Sequence, residues 1–346
     1  MSAPVPPPGG APSAPSHGAT SRPAGGAHGR AEAGAPPPAP AVDLSVSLGR
    51  LRLANPVMTA SGTYGKGLEF RPFYDVARLG AVVVKTITTE PRPGNPPPRL
   101  VETPGGLLNS IGLENPGIDE YIEVYLPLLR TLGCPVVINI AGHSVEDFGA
   151  LAARLDPEPD IAALELNMSC PNVARGLDYS TSPDAAKAVV SLVKSKTGLP
   201  LIAKLSPNVT DVRPVARAAV EAGADCVSLI NTYVGMAIDW KRRAPRLGRG
   251  VGGLSGPCIK PLALKIVWDV ARAIDAPVIG IGGIADADDA MEFFVAGASA
   301  VQVGTANYYV PTAAMDLLDG LPSRFAALGA TRLADVVGTL RMPTVA

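Results

Sequence analysis

Histidine and paired cysteine are what this chain has least of. Only three histidines occur, and two of them, His17 and His28, fall within the first 41 residues. A histidine-based mechanism therefore has little to draw on. The four cysteines, Cys134, Cys170, Cys226 and Cys258, are widely spaced and include no C-x-x-C pair. The chain alone is not expected to hold an iron–sulfur cluster, a structural zinc or any other metal, and a reducing, cytoplasmic setting is the default. No uninterrupted apolar run approaches the roughly 20 residues a membrane span needs. No block of Lys or Arg interrupts a formal net charge of −1, which argues against nucleic-acid and anionic-membrane partners.

Residues 1–41 lack aromatics and nearly lack charge, Arg22, Arg30 and Glu32 being almost the only ionised groups among Ala, Pro and Gly. Such a segment cannot bury enough apolar surface to offset its ordering entropy and is expected to be disordered. It reads as a flexible tail or the product of a mis-set start, without the compact apolar region of a secretory signal. Residues 42–346 form the expected single catalytic domain, and 47% hydrophobic residues are ample for a large core.

Alternation of apolar and polar residues around Gly49, over 44–53, predicts a β-hairpin. Eight short β-rich runs then follow at 56–60, 81–86, 135–140, 162–167, 200–205, 226–231, 277–281 and 300–304. Helical patterns separate most of them. Ser182 reads as an N-cap with Pro183 at the first helical position, the helix ending near Gly198. Thr210 is expected to open a helix ending near Gly223, and Asp286 one ending at Gly297. Ile118, Tyr121, Ile122, Tyr125, Leu126 and Leu129 sit at helical spacing. Eight strands alternating with helices imply an α/β parallel sheet. Closure gives a (β/α)8 TIM barrel with an N-terminal hairpin and inserted loops over its C-terminal face; an open doubly wound sheet is the alternative. The connections 87–116 and 232–257 are long, as loops that shape a substrate site are.

Chemistry-bearing residues fall at the carboxyl ends of these runs. Gly282 and Gly283 follow the seventh, Gly304 and Thr305 the eighth, and Gly256 precedes the sixth helix. Barrels bind phosphate there, and glycine lets backbone N–H groups approach it. Lys85, Asn139, Lys204 and Asn231 lie in or at the ends of runs two, three, five and six, and Asn167 closes run four. A lysine in a buried strand is costly unless paired, so two lysines with three asparagines suggest a site for an anion and for amides. Cys170 lies on the turn that Pro171 forces after run four. The other cysteines read as small buried hydrophobes.

Those residues carry a resemblance. Asn167-Met-Ser-Cys-Pro-Asn172 is similar to the signature of class 1 dihydroorotate dehydrogenases. So are Lys85-Thr86, Gly94-Asn-Pro-Pro-Pro-Arg99, Asn109-Ser-Ile-Gly-Leu-Glu-Asn-Pro-Gly117 and Lys204-Leu-Ser-Pro-Asn-Val-Thr-Asp211. Ile230-Asn-Thr-Tyr-Val-Gly-Met236, Gly252-Gly-Leu-Ser-Gly-Pro257, Gly282-Gly283 and Val303-Gly-Thr-Ala-Asn307 extend it over roughly residues 43–340. The resemblance implies an FMN-binding barrel that oxidises (S)-dihydroorotate to orotate in pyrimidine (UMP) synthesis. Cys170, where class 2 enzymes use serine, implies class 1, and residues 231–239 with 253–257 resemble subclass 1B more than fumarate-using 1A. Subclass 1B implies a partner subunit carrying FAD and [2Fe–2S], electrons delivered to NAD, and a heterotetramer of two plus two around a homodimer core. A dihydropyrimidine-dehydrogenase-like flavin reductase and a non-catalytic scaffold barrel are the rivals.

By the same resemblance, Cys170 is the base that removes the C5 proton. Lys85, Asn109, Ser110, Ile111, Gly112, Leu113, Asn167, Asn172, Asn231 and Thr232 contact the pyrimidine. Ser61, Lys85, Thr86, Asn139, Asn167, Lys204, Ile230, Gly256, Gly282, Gly283, Gly304 and Thr305 contact FMN. The loop 173–182 is a candidate lid. A free thiol ionises near ~8.5, so activity is expected to rise on the alkaline side.

Overall fold

The computed structural model describes residues 42–65, 67–168 and 179–343. The expected tail, Cys170, Asn172 and most of the candidate lid lie outside the described residues.

All eight expected strands form, and they close. Taken around the sheet, Val57–Thr59 lies beside Ala300–Val303, then Val278–Ile281, Cys226–Leu229, Leu201–Lys204, Ile161–Asn167, Val136–Ile140 and Val82–Val83. A parallel bridge from Met58 to Ala81 joins the first strand back to the second. Each strand thus neighbours its predecessor, and the sheet is a (β/α)8 barrel. The central strands are buried on both faces, Val136–Ile140 throughout, because helices cover the outside and the barrel fills its own interior.

The helical layer departs from expectation in three places. The first strand is followed only by 3-10 turns at Leu68–Phe70 and Val76–Arg78. The pattern beginning at Ile118 gives one apolar face but not one regular helix: it passes through a five-residue π segment, Tyr121–Tyr125, and a short α turn, Leu126–Leu129. Thr210 does not open the fifth helix. That helix is Arg213–Glu221, entered through Val212 with Pro214 in its first turn, while the Asp211 carboxylate accepts from the Arg213 backbone N–H at 3.0 Å. The others obey their punctuation. Ser182 caps Pro183–Lys194, which ends short of Gly198, and Asp286 accepts from Asp289 N to cap Ala287–Ala296, closed by Gly297.

The hairpin pairs Val46–Leu48 with Leu51–Leu53 and plugs the barrel's amino-terminal end. Leu48, Leu51 and Leu53 pack with Met58, Ala81, Val137, Ala163, Ile202 and Cys226, the inward residues at the strand starts. Burial pushes the Cys226 thiol well above its ordinary value, which leaves it inert as a nucleophile. Gly49 makes the tight turn possible: its φ is 63°, and a Cβ there would stand 2.7 Å from Asp225. Arg50 follows and clamps Asp225 through its Nε at 2.7 Å. The same guanidinium donates to the carbonyls of Gly198 and Leu199, and Leu201 N–H donates to the carboxylate at 2.9 Å.

The two long connections are more ordered than expected. They pair into one antiparallel sheet in the order Tyr233–Gly235, Gly252–Ser255, Gly106–Asn109, Leu100–Thr103. Its register sets Gly253 opposite Asn109. The sheet's residues Leu100, Leu107, Asn109 and Ser255 face the cavity at the strands' carboxyl ends.

Burial by itself would raise the Asp225 pKa, but the hydrogen bonds from Arg50 and Leu201 outweigh it and hold the carboxyl below its usual range. Its stabilising contribution is therefore present above the unfolded value near ~3.9 and is lost as pH falls through the lower folded value. Asp225→Asn is expected to lower stability at neutral pH by about 2 kcal/mol, the scale of hydrogen bonds to a charged group. Urea unfolding at a series of pH values checks this, the penalty shrinking below about pH 4.

Candidate active site

A cavity of about 550 Å³ opens at the carboxyl ends of the barrel strands, the size class of small-ligand and cofactor sites. Its walls collect most of the residues singled out by sequence. Lys85, Asn109, Ile111, Gly112, Leu113, Asn167, Asn231 and Thr232 line it, as do Ser61, Thr86, Lys204, Ile230, Gly256, Gly282, Gly283, Gly304 and Thr305. Two singled-out residues stand behind the wall. The Ser110 hydroxyl and carbonyl are both taken by Asn95, and its N–H donates to Arg99, so it braces the loop that presents Ile111 to Leu113. Asn139 lies fully buried in the barrel.

The barrel interior is layered. Apolar strand-start residues sit on the hairpin plug. Above them lies a polar layer of Asn139, Glu165, Lys204, Ser228 and Gln302, all at most 5% exposed. Glu165 is its centre. Its Oε1 accepts from Asn139 Nδ2 at 2.6 Å and lies 3.6 Å from the Lys204 ammonium. Its Oε2 accepts from Gln302 Nε2 at 2.7 Å and Ser228 Oγ at 3.1 Å. Lys204 reaches up to donate to Ser61 Oγ at 3.1 Å. Asn139 Oδ1 and Gln302 Oε1 are buried with no partner among the described residues, and a buried acceptor left unpaired costs about 1–3 kcal/mol.

Strand alternation explains the layering. Ala163, Glu165 and Asn167 are spaced by two along one strand and so face the same way. Ala163 belongs to the apolar layer, Glu165 to the polar one, and Asn167 to the cavity wall. Asn167 donates to Thr86 Oγ1 at 3.4 Å and accepts from Asn231 Nδ2 at 3.3 Å, while Asn231 Oδ1 holds Thr232 N–H at 2.9 Å. Asn109 is tied to the Gly253 carbonyl at 3.3 Å across the sheet. The result is a wall of amides and two ammonium groups, suited to a ring bearing donors, acceptors and an anionic substituent.

Glu165, Ser228 and Gln302 went unmarked in the sequence. A signal existed for Glu165: a carboxylate inside an apolar strand demands partners just as a lysine does. Ser228 and Gln302 are small or neutral in β-rich runs and gave none.

At the other end, the glycines after the seventh and eighth strands and before the sixth helix form a cup. Gly283 has φ 75°, and a Cβ on it would meet Lys260 Cβ at 2.7 Å and the Gly256 carbonyl at 2.9 Å. Only glycine fits there, and the exposed backbone can approach a phosphate.

A closed barrel with a cavity at the carboxyl ends of its strands, lined by glycines after strands seven and eight, is the architecture of the (β/α)8 barrel enzymes. The chain belongs to the dihydroorotate dehydrogenase family, whose model matches residues 43–325, and is an oxidoreductase of pyrimidine biosynthesis. It is 53% identical over 299 residues to the "Dihydroorotate dehydrogenase B (NAD(+)), catalytic subunit" of Geotalea uraniireducens, covering 86% of this chain and 98% of that protein. It is 50% identical over 302 residues to the protein of the same name from Desulforamulus reducens, covering 87% and 99%. Among solved structures, DHODH from Eimeria tenella in complex with ferulenol superposes with a TM-score of 0.72 at 25% identity, over 86% of this chain and 88% of that one. No helix among the described residues is long and apolar enough to cross a membrane.

Gly283→Ala is expected to cost about 1–2 kcal/mol, from a side chain forced into a left-handed conformation. It is also expected to weaken retention of a phosphate-bearing cofactor at least tenfold. Denaturant midpoints and equilibrium dialysis of FMN report the two effects separately.

Proposed function

We propose that this chain is the catalytic subunit of an NAD-linked dihydroorotate dehydrogenase, holding FMN in the cavity and oxidising (S)-dihydroorotate to orotate with Cys170 as base. The observation that carries the reading is the convergence of Lys85, Lys204, Asn109, Asn167 and Asn231 on one cavity that ends in the glycine cup. The donor set suits a flavin. The cup can take the phosphate, and the Lys204 ammonium, which lines the cavity, can face the ring edge where negative charge collects. FMN, when bound, supplies the acceptor for hydride from C6 of the substrate and passes the electrons on.

The chain's own residues do the rest. Asn109, Asn167 and Asn231 hold the pyrimidine amides and fix the ring flat. Lys85 pairs with the substrate carboxylate. Gly112 and Leu113 close the loop edge of the pocket, and the sheet across its mouth excludes water, which strengthens each of these polar contacts. Cys170 follows Asn167 by three residues and takes the C5 proton as its thiolate, becoming a thiol. The relatives' designation as catalytic subunits supports a second subunit, on which FAD and [2Fe–2S] would carry the electrons to NAD in a two-plus-two assembly.

Cys170→Ala is expected to keep bound flavin and to slow its reduction by dihydroorotate about 10²–10⁴-fold, the usual worth of a general base. Anaerobic stopped-flow reading of the flavin band decides this; an unchanged rate removes the thiol from the reaction. Dihydrouracil serves as the contrasting substrate and is expected to leave the flavin oxidised.

A further inference from the structure

Glu165 touches neither the cavity nor solvent, yet three side chains donate to it and an ammonium stands beside it. Packing alone gives no reason for a carboxylate there. The layer beneath is apolar, and a strand residue at the barrel centre is the most expensive place for a charge. Two consequences follow from its chemistry, and the second reaches the cavity through Lys204.

The first concerns amide direction. An ionised carboxylate only accepts hydrogen bonds, so Asn139 and Gln302 must both turn their NH₂ groups toward it. Their carbonyl oxygens are thereby left buried without partners among the described residues. A neutral amide at position 165 would remove that constraint, and either side chain could flip. The second concerns charge. Lys204 lines the cavity and stands 3.6 Å from Glu165, so the carboxylate both tethers the ammonium and offsets part of its positive field.

We infer that Glu165 is a positioning residue of the flavin site, setting the location and effective charge of Lys204 and the acceptor sense of Asn139 and Gln302. The inference rests on the FMN reading above. An ammonium at the ring edge favours the reduced, anionic flavin, and Glu165 restrains that pull. Its removal therefore makes the bound flavin easier to reduce.

The test is the midpoint potential of the bound FMN, measured by dye equilibration on the full-length protein. Glu165→Gln is expected to raise the equilibrium constant for two-electron reduction about tenfold, a shift of about +30 mV. Glu165→Asp, which keeps the charge, should stay within threefold of wild type. In a Lys204→Met background the Glu165→Gln effect should fall below threefold, because the ammonium through which Glu165 acts is gone. A wild-type potential in Glu165→Gln that holds its flavin overturns the inference and leaves the FMN reading intact. A wild-type chain that cannot bind FMN removes both. If Glu165→Gln does not retain flavin, the reduced-minus-oxidised infrared spectrum of the wild type decides. A shifted ionised-carboxylate band that moves in Glu165→Asp supports the inference, and a spectrum with no such band overturns it.

Discussion

An ammonium and a carboxylate lie side by side in the middle of a barrel, and the arrangement of the site follows from keeping both there. Lys204 and Glu165 have side-chain exposures of 6% and 0%. Such a pair does not justify itself as stabilisation, since desolvation often exceeds the Coulombic gain. It is held by a ring of further donors, Asn139, Ser228 and Gln302, each supplied by a different strand. Closing the barrel is what brings those strands to one point, so the polar layer exists only because the sheet is complete.

The layers above and below make that core possible. Beneath it, the N-terminal hairpin seals the open end with leucines and is clamped by Arg50 on Asp225. Water is thus excluded from one side of the charges. Above it, two inserted connections cross-pair into a sheet at the cavity mouth, with Asn109 tied to Gly253. The cavity lies above the dry plug, with the inserted sheet forming part of its wall. In the proposed reading, the glycine cup at the ends of the seventh and eighth strands sets how far along the cavity the FMN phosphate sits, and therefore which part of the ligand lies over Lys204.

The barrel was legible because each strand is a compact apolar run bounded by Gly, Pro or a polar residue, a pattern set by burial on both faces. Most of the cavity wall was legible too, since Lys85, Lys204, Asn167 and Asn231 are polar residues ending apolar strands. The layer below was not. Asn139 was visible as an asparagine in a strand; Glu165, between Leu164 and Leu166, signalled that it needed partners but not which ones, because they come from strands distant in sequence. The sheet over the mouth was hidden for a related reason. Its strands are three or four residues long, glycine recurs in three of them, and Asn109 meets Gly253 across 144 positions. No local pattern specifies such pairing. Thr210 misled because a capping residue type was present while Val212 and Pro214 set the real helix start.

The most direct test of this picture is a crystal structure of the chain with FMN and orotate bound. The account predicts the flavin phosphate in the cup at Gly283 and Thr305, the ring edge within hydrogen-bonding distance of the Lys204 ammonium, and orotate between the ring and Cys170. A flavin lying elsewhere, or one whose ring stands away from Lys204 with the Glu165 pair untouched, would contradict it.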